Sequence, residues 1–301
     1  MDTADFCLFG IDEPKYVRRS EAFVKYPERC FAVLERDDPT YFLPACYPSN
    51  YKTWLGRGRA ITIPYLLSAV SDPNPFVEDF TDQKERPYLY SFRGAATSWL
   101  RKRMLKSMVS QDDVLIQDSS YYRHWDFDPN YVPSKSSHQQ DYAAILAKSS
   151  FVLCPKGAGA SSIRLFETMQ AARVPVIIAD NWVPLPGINF PEFAIVIPER
   201  DVNDLDKIIR NQADDFTRMA RNARQAWEQL CMPGSDAQVL LTALVELKRR
   251  RNPKREKFIQ FIFPLIELKR GSFALARKGV RSAVLGLLTA MRVKFPYSVN
   301  R

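Results

Sequence analysis

The stretch SSFVLCPKGAGASSIRLFETMQAARVPVIIAD, residues 149–180, decides how this chain folds. It runs from an apolar segment, SFVLCP, through a loop of small residues into a helical pattern, SSIRLFETMQAA, and then into a second apolar segment, VPVIIA. Strand, tight turn, helix and strand in that order make a βαβ unit, whose strands lie parallel. VPVIIA shows no polar alternation, as expected of a strand covered on both faces. In such sheets ligands gather at the carboxyl ends of the strands, and the loop PKGAGASS falls there.

Within that loop, which opens with Lys156, Gly157 and Gly159 let the backbone turn and approach a ligand without a Cβ in the way. Ser161 or Ser162 caps the helix, whose first N–H groups then face outward with partial positive charge. A turn using glycine for sterics alone would look the same. Arg164 shifts the balance, because the macrodipole disfavours a cation in the first helical turn and an anionic ligand removes that penalty. The alternative is an Arg164–Glu167 ion pair in the less favourable orientation, which contributes only about 0.2–0.5 kcal/mol. Helical spacing turns Ile163, Phe166 and Met169 or Gln170 toward the sheet, and Arg164, Glu167 and Ala171 toward the strand ends. A group that reaches phosphate and a carboxylate that accepts ribose hydroxyls then share one face, and a nucleoside diphosphate fits both.

The alternation continues outward. RPYLYSFRGA reads as a strand, and ATSWLRKRMLKSM as an amphipathic helix capped by Thr97 or Ser98, with Trp99 and Leu100 in the core. DDVLIQDSS is a strand, DYAAILAKS a helix, and FAIVIPE a strand. Asp201 caps VNDLDKIIRNQ, and DDFTRMARNARQAWEQL forms a longer helix. Residues 86–247 thus form a doubly wound parallel sheet of the Rossmann-like kind. Residues 1–85 hold eight prolines and short apolar runs, CFAVLE (30–35), TYFLPA (40–45) and ITIPYLL (61–67). They read as short strands and long loops, joined by the basic segment KTWLGRGRA (52–60).

Composition bounds the function. The chain has 301 residues, 46% of them hydrophobic, which makes it globular. FCLF (6–9) is too short for a signal-peptide core, and no apolar run is long enough to span a membrane. The five cysteines are scattered without a CxxC, as expected of reduced thiols in a cytoplasmic protein. His124 and His138 lack metal-ligand spacing, so no structural zinc is expected. The net charge of +9 resides in the tail: residues 248–301 hold 15 Lys and Arg against two acids, and the rest holds 28 against 32. Within that helical tail, SFALARKGVRSAVLGLLTAMRVKF combines apolar positions at helical spacing with cations, which suits an anionic membrane surface or a solvated extension. Few aromatics interleave with the charges, so nucleic acid is not an expected partner. DSSYYRHWDFDPNYVP (118–133) reads as a sugar-binding surface or as an ordinary loop. Asp118, at a strand end, is either a general base for an acceptor hydroxyl or a turn cap, and Asp180 has the same two readings.

The segment SFVLCPKGAGASSIRLFETMQAARVPVIIADNWVPLP resembles the C-terminal signature of exostosin-like glycosyltransferases, family 47: a Pro-x-Gly loop, Ser-x-Arg-x-Phe/Tyr-Glu, then Pro-Val-Ile-Ile and an acidic residue. YSFRGAATSWLRKRML resembles the preceding Phe-x-Gly strand and Arg-bearing helix. The similarity covers about residues 86–200. It implies a GT-B-like architecture of two facing lobes, here with a reduced N-terminal lobe on the acceptor side (1–85), a nucleotide-sugar-binding lobe (86–247) and the basic tail (248–301). It places Lys156, Gly157, Gly159, Ser161, Ser162, Arg164 and Glu167 at the donor nucleotide, with Arg93 and Gly94 at the neighbouring strand end. It departs from the pattern at Arg173, where glycine is usual. The implied activity is inverting transfer of a sugar from a nucleotide sugar to a glycan or lipid-linked acceptor. A non-catalytic carbohydrate- or nucleotide-binding module and a fucosyltransferase-like enzyme are the alternatives.

Overall fold

The computed structural model describes residues 4–10, 12–35, 37, 39–65, 74–122 and 132–268. Two parallel sheets organise it. The first contains β1 (Cys7–Phe9), β2 (Cys30–Val33), β3 (Ala45–Tyr47) and β4 (Ala60–Thr62), in that order and all parallel. The short helices α1 (Pro14–Val17) and α2 (Glu21–Lys25) connect β1 to β2, and Ser20 caps α2 by accepting the Phe23 N–H.

CFAVLE and ITIPYLL supply strands, but TYFLPA is mostly a buried loop that reaches β3 only at its last residue. Buried Asp12 explains this. Its carboxylate accepts the N–H groups of Phe42 and Leu43 and the hydroxyls of Thr40 and Tyr47, at 2.8–3.0 Å. Arg59 donates to the Tyr41 and Phe42 carbonyls at 2.8 and 2.9 Å. Side chains thus satisfy backbone groups that a strand would have placed in a ladder.

The second sheet is the expected doubly wound one. Its strands are β5 (Tyr88–Gly94), β6 (Val114–Asp118), β7 (Ser149–Pro155), β8 (Val174–Ile178) and β9 (Ile195–Ile197), ordered β6-β5-β7-β8-β9 and all parallel. The helices are α3 (Trp99–Ser107), α4 (Val132–Ala147), α5 (Ile163–Gln170), α6 (Leu205–Arg210), α7 (Phe216–Cys231) and α8 (Ser235–Arg250). All five residues of β8 are buried, as its unbroken apolar run requires. DYAAILAKS proves to be only the second half of α4.

Three local expectations change. Ser98 does cap α3, but Trp99 is 66% exposed, while Leu100, Arg101 and Met104 face inward. Trp99 falls on the outer face and packs under the Arg103 guanidinium. Asp201 does not cap a helix. It lies inside a 3-10 turn, Glu199–Asp204, and α6 starts at Leu205. Arg173 is fully buried, and its guanidinium donates to the carbonyls of Leu146, Ala147 and Ala172 at 2.7–3.1 Å. It thereby satisfies the open end of α4. Just before it, α5 closes in a Schellman motif: the Arg173 N–H bonds Thr168 O, the Ala172 N–H bonds Met169 O, and Ala172 takes φ 52°. The left-handed position therefore falls on Ala172.

The 247/248 boundary also moves. Ala243, Leu244 and Leu247 of α8 pack on Phe31, Cys46, Ile61 and Ile63, so the helix belongs with the first sheet. Lys248 pairs with Asp5 at 2.9 Å, and Arg251 donates to the carbonyls of Pro27, Glu28 and Cys30. One compact unit spans Met1–Arg251 and a second spans Asn252–Arg301, of which helix 253–268 is described. The segment 272–295, read as a membrane-surface helix, lies outside the described residues. Among the described residues no helix is long and apolar enough to cross a membrane.

Candidate functional site

The order of the second sheet reverses between β5 and β7, because the chain moves outward to β6 and then back across to β7. A crevice opens at the strand ends of such a switch point. Here it is a cavity of about 560 Å³. One wall comes from Arg93 and Gly94 at the end of β5 and from the loop and first turn after β7. The facing wall comes from Glu35, Asp37 and Tyr65, which follow strands of the first sheet. The carboxyl ends of both sheets thus meet at one site.

Two arginines set its electrostatics. Arg164, in the first turn of α5, donates Nη2 to the Arg93 carbonyl at 2.7 Å and lies over the Phe92 ring at 4.9 Å. Its Nε and Nη1 are buried without an acceptor. Arg101, on the inward face of α3, donates to the Pro155 carbonyl at 3.1 and 3.3 Å and reaches Ser162 Oγ at 3.5 Å. Burial, aided by the nearby Arg164 charge, pulls its pKa down to about 9. Among the described residues neither arginine forms an ion pair, and Arg164 does not pair with Glu167. A desolvated Arg101 held beside the Arg164 charge is costly, and an anion between them would relieve it.

The other groups fit a polar ligand. Ser162 caps α5 through the Arg164 N–H at 3.3 Å. Ser161 Oγ, His138 Nδ1 and Gln139 Nε2 are buried along the same cavity without hydrogen-bond partners. Burial raises the Glu167 carboxyl above its ordinary range, while the Arg164 charge and the Tyr142 hydroxyl pull the other way. Across the cavity, Asp37 Oδ1 accepts the Tyr65 hydroxyl at 3.1 Å and Ser49 Oγ at 3.4 Å. Among the described residues no cluster of His, Cys, Asp and Glu is arranged to hold a metal ion.

Seven of the residues singled out by sequence line this cavity together: Arg93, Gly94, Gly157, Ser161, Ser162, Arg164 and Glu167. Gly94 is there for space, since a Cβ would fall 2.6 Å from Arg164 Nη2. Three others lie elsewhere. Lys156 turns away to Glu199, at 2.7 Å. Gly159 presses against the first lobe, where a Cβ would meet Asp37 Oδ1 and Ser49 Oγ at 2.4 Å. Asp118 accepts the N–H and hydroxyl of Ser120 at 2.8 and 2.5 Å, closing its own turn outside the cavity. Asp180 likewise exchanges bonds with Glu199. His138 lines the cavity, whereas His124 and the rest of 123–131 lie outside the described residues.

Sequence reasoning passed over Arg101, Glu35, Asp37, Tyr65 and Tyr142. For Arg101 a signal existed: it sits beside Leu100 and three residues before Met104, on the face that an amphipathic reading assigns to the core. Glu35, Asp37 and Tyr65 carried none, because their loops reach the cavity only once the two sheets face each other.

With this geometry in view, the likeness to known proteins is informative. The model of the Exostosin GT47 domain matches residues 48–212, more than half of the chain. An Exostosin-1 homolog of Caenorhabditis elegans is 31% identical over 126 residues, 40% of this chain and 29% of that protein. Exostosin-1 of Drosophila melanogaster is 26% identical over 180 residues, 56% of this chain and 23% of its own length. A protein of Arabidopsis thaliana named as a probable glucuronoxylan glucuronosyltransferase is 39% identical over 74 residues, 24% of this chain and 16% of its own. The chain spans less than a third of the length of these relatives.

Proposed function

Because the chain belongs to the exostosin GT47 family, we propose that it is a glycosyltransferase, moving a sugar from a nucleotide donor onto a glycan in polysaccharide or glycan biosynthesis. The observation that carries this reading is the pair of arginines at the switch point of the second sheet: Arg101 is buried, Arg164 is half-buried with two N–H groups that lack an acceptor, and among the described residues neither forms an ion pair. A donor diphosphate bound there would take up the unused Arg164 N–H groups and the field of the α5 N-terminus. Both matter most as the diphosphate departs, when negative charge builds on the leaving oxygen. Glu167, on the same face of α5 and lining the same cavity, would accept ribose hydroxyls.

Transfer with inversion also needs a base that takes the proton of the acceptor hydroxyl. With Asp118 engaged in its own turn, Glu35 and Asp37 are the carboxylates facing the donor side from the first lobe. An acceptor lying along that wall would have its hydroxyl between a carboxylate and the anomeric carbon, which is the positioning that displacement requires. The glucuronosyl transfer in the names of plant relatives makes an acidic donor sugar one arm of the test, beside neutral sugars.

The test is a titration of the chain with nucleoside mono- and diphosphates and nucleotide sugars, followed by assay of nucleotide release with oligosaccharide acceptors. A diphosphate should bind more tightly than a monophosphate, and at 100 times its Kd should add about 2.7 kcal/mol of stability. Binding without release on any acceptor would favour the non-catalytic module. A preference for a fucosyl donor would favour the fucosyltransferase-like reading. If no nucleotide binds, the proposal fails.

A further inference from the structure

Helix 253–268 has apolar residues on two opposite faces. Ile259 and Phe263 are fully buried. On the other side Phe258, Phe261, Leu265 and Leu268 are 53%, 82%, 67% and 66% exposed. Their spacing of three, four and three residues places all four in one stripe along the helix. Four large apolar side chains left in water along one line are far from the scattered exposure of an ordinary surface. The charges around them share one sign. Lys254 sits one turn before Phe258 on the stripe, and Lys257 borders it. Glu256 and Glu267, the acids of this unit, fall by helical spacing on the opposite side, and Glu256 is buried. Residues 252–301 carry eleven Lys and Arg against these two acids, which is the whole net charge of the chain, the remainder balancing at 32 of each sign.

We propose that this stripe docks the chain on an anionic lipid surface, with Phe258, Phe261, Leu265 and Leu268 in the acyl boundary and Lys254 and Lys257 at the headgroups. Apolar insertion and cation attraction together are what hold an interfacial helix, and each alone is weak. A second copy is the poorer occupant, because it would bring two segments of charge +9 together. An apolar partner surface would leave the one-signed charge without a role.

The test uses the full chain and sedimentation with vesicles of phosphatidylcholine, alone or with one third phosphatidylserine. Binding should appear with phosphatidylserine and weaken as salt rises from 0.1 to 0.5 M, where the screening length shortens. Phe261→Asp with Leu265→Asp should weaken it by at least about tenfold, since burying one such side chain is worth about that factor or more. Lys254→Glu with Lys257→Glu should reduce the preference for the anionic vesicle. Each variant's melt reports on folding, because these side chains lie on the exposed face. Equal binding of the Asp variant and the parent, or no binding by the parent, overturns the proposal. So does concentration-dependent self-association that the Asp variant abolishes, which would identify a second copy as the occupant. None of these readouts depends on nucleotide or turnover, so the inference stands or falls apart from the donor-site proposal.

Discussion

Replacing Arg164 by Ala separates a ligand-binding arginine from a structural one. The structure sets both sides of the balance. The substitution removes one bond to the Arg93 carbonyl and the stacking on Phe92, worth together about 2–4 kcal/mol. It also removes two buried donors that have no acceptor, whose burial costs about 1–3 kcal/mol, and relieves the repulsion that helps hold Arg101 down. The two sides nearly cancel, so the stability change should be about 1 kcal/mol, a few degrees in Tm for a domain of this size. Nucleoside diphosphate binding has no such compensation. A charge-assisted bond is worth about 1.5–3 kcal/mol, so affinity should fall at least about tenfold and up to a hundredfold. Lysine should recover part of the loss, since it keeps the charge without the planar fork. Calorimetric titration with a melt for each variant reads both quantities. Unchanged affinity in a folded Arg164→Ala chain would refute the reasoning and remove the observation on which the donor site rests.

Gly94→Ala should weaken nucleotide binding as well, because its Cβ would fall 2.6 Å from Arg164 Nη2 and 2.8 Å from the Phe92 ring; the same titration checks it, and wild-type affinity would mean that Arg164 need not hold this position. Asp12→Ala should cost about 3 kcal/mol or more, since it strands the buried N–H groups of Phe42 and Leu43 and the hydroxyl of Tyr47; a denaturant melt within 1 kcal/mol of wild type would contradict the role given to it. Burial raises Glu167 above its ordinary value of 4.5. Between 4.5 and that higher value the native chain holds a proton that the unfolded chain has released, so this group's contribution is full below about 4.5 and declines as pH climbs through the folded pKa. Glu167→Gln should therefore lose stability less steeply over that range, and parallel Tm-against-pH curves would count against a raised Glu167.

Residues 149–180 and the segments around them were enough to predict the second sheet. Uninterrupted apolar strands, helices with a 3.6-residue period and a small-residue loop are local features, and they place Ser161, Ser162, Arg164 and Glu167 at the end of β7 by chain geometry alone. The cap at Ser98 and the pairing of an arginine-bearing first turn with a strand end were legible for the same reason. Tertiary structure decided the rest. Burial of Asp12 held TYFLPA as a loop, and a side chain 28 to 35 residues away leaves no periodic trace. Arg101 lay on the inward face of α3, but only the packing of α3 on the sheet brought it to the Pro155 carbonyl, 54 residues on. Lys156 and Gly159 lay in the right loop, but Glu199 drew one away and Asp37 with Ser49 pressed on the other. The cavity needs two sheets to face each other, and α8 must return to the first of them. Such contacts are long-range in sequence, so a local pattern could say where phosphate would be met on one wall and nothing about what stands on the other.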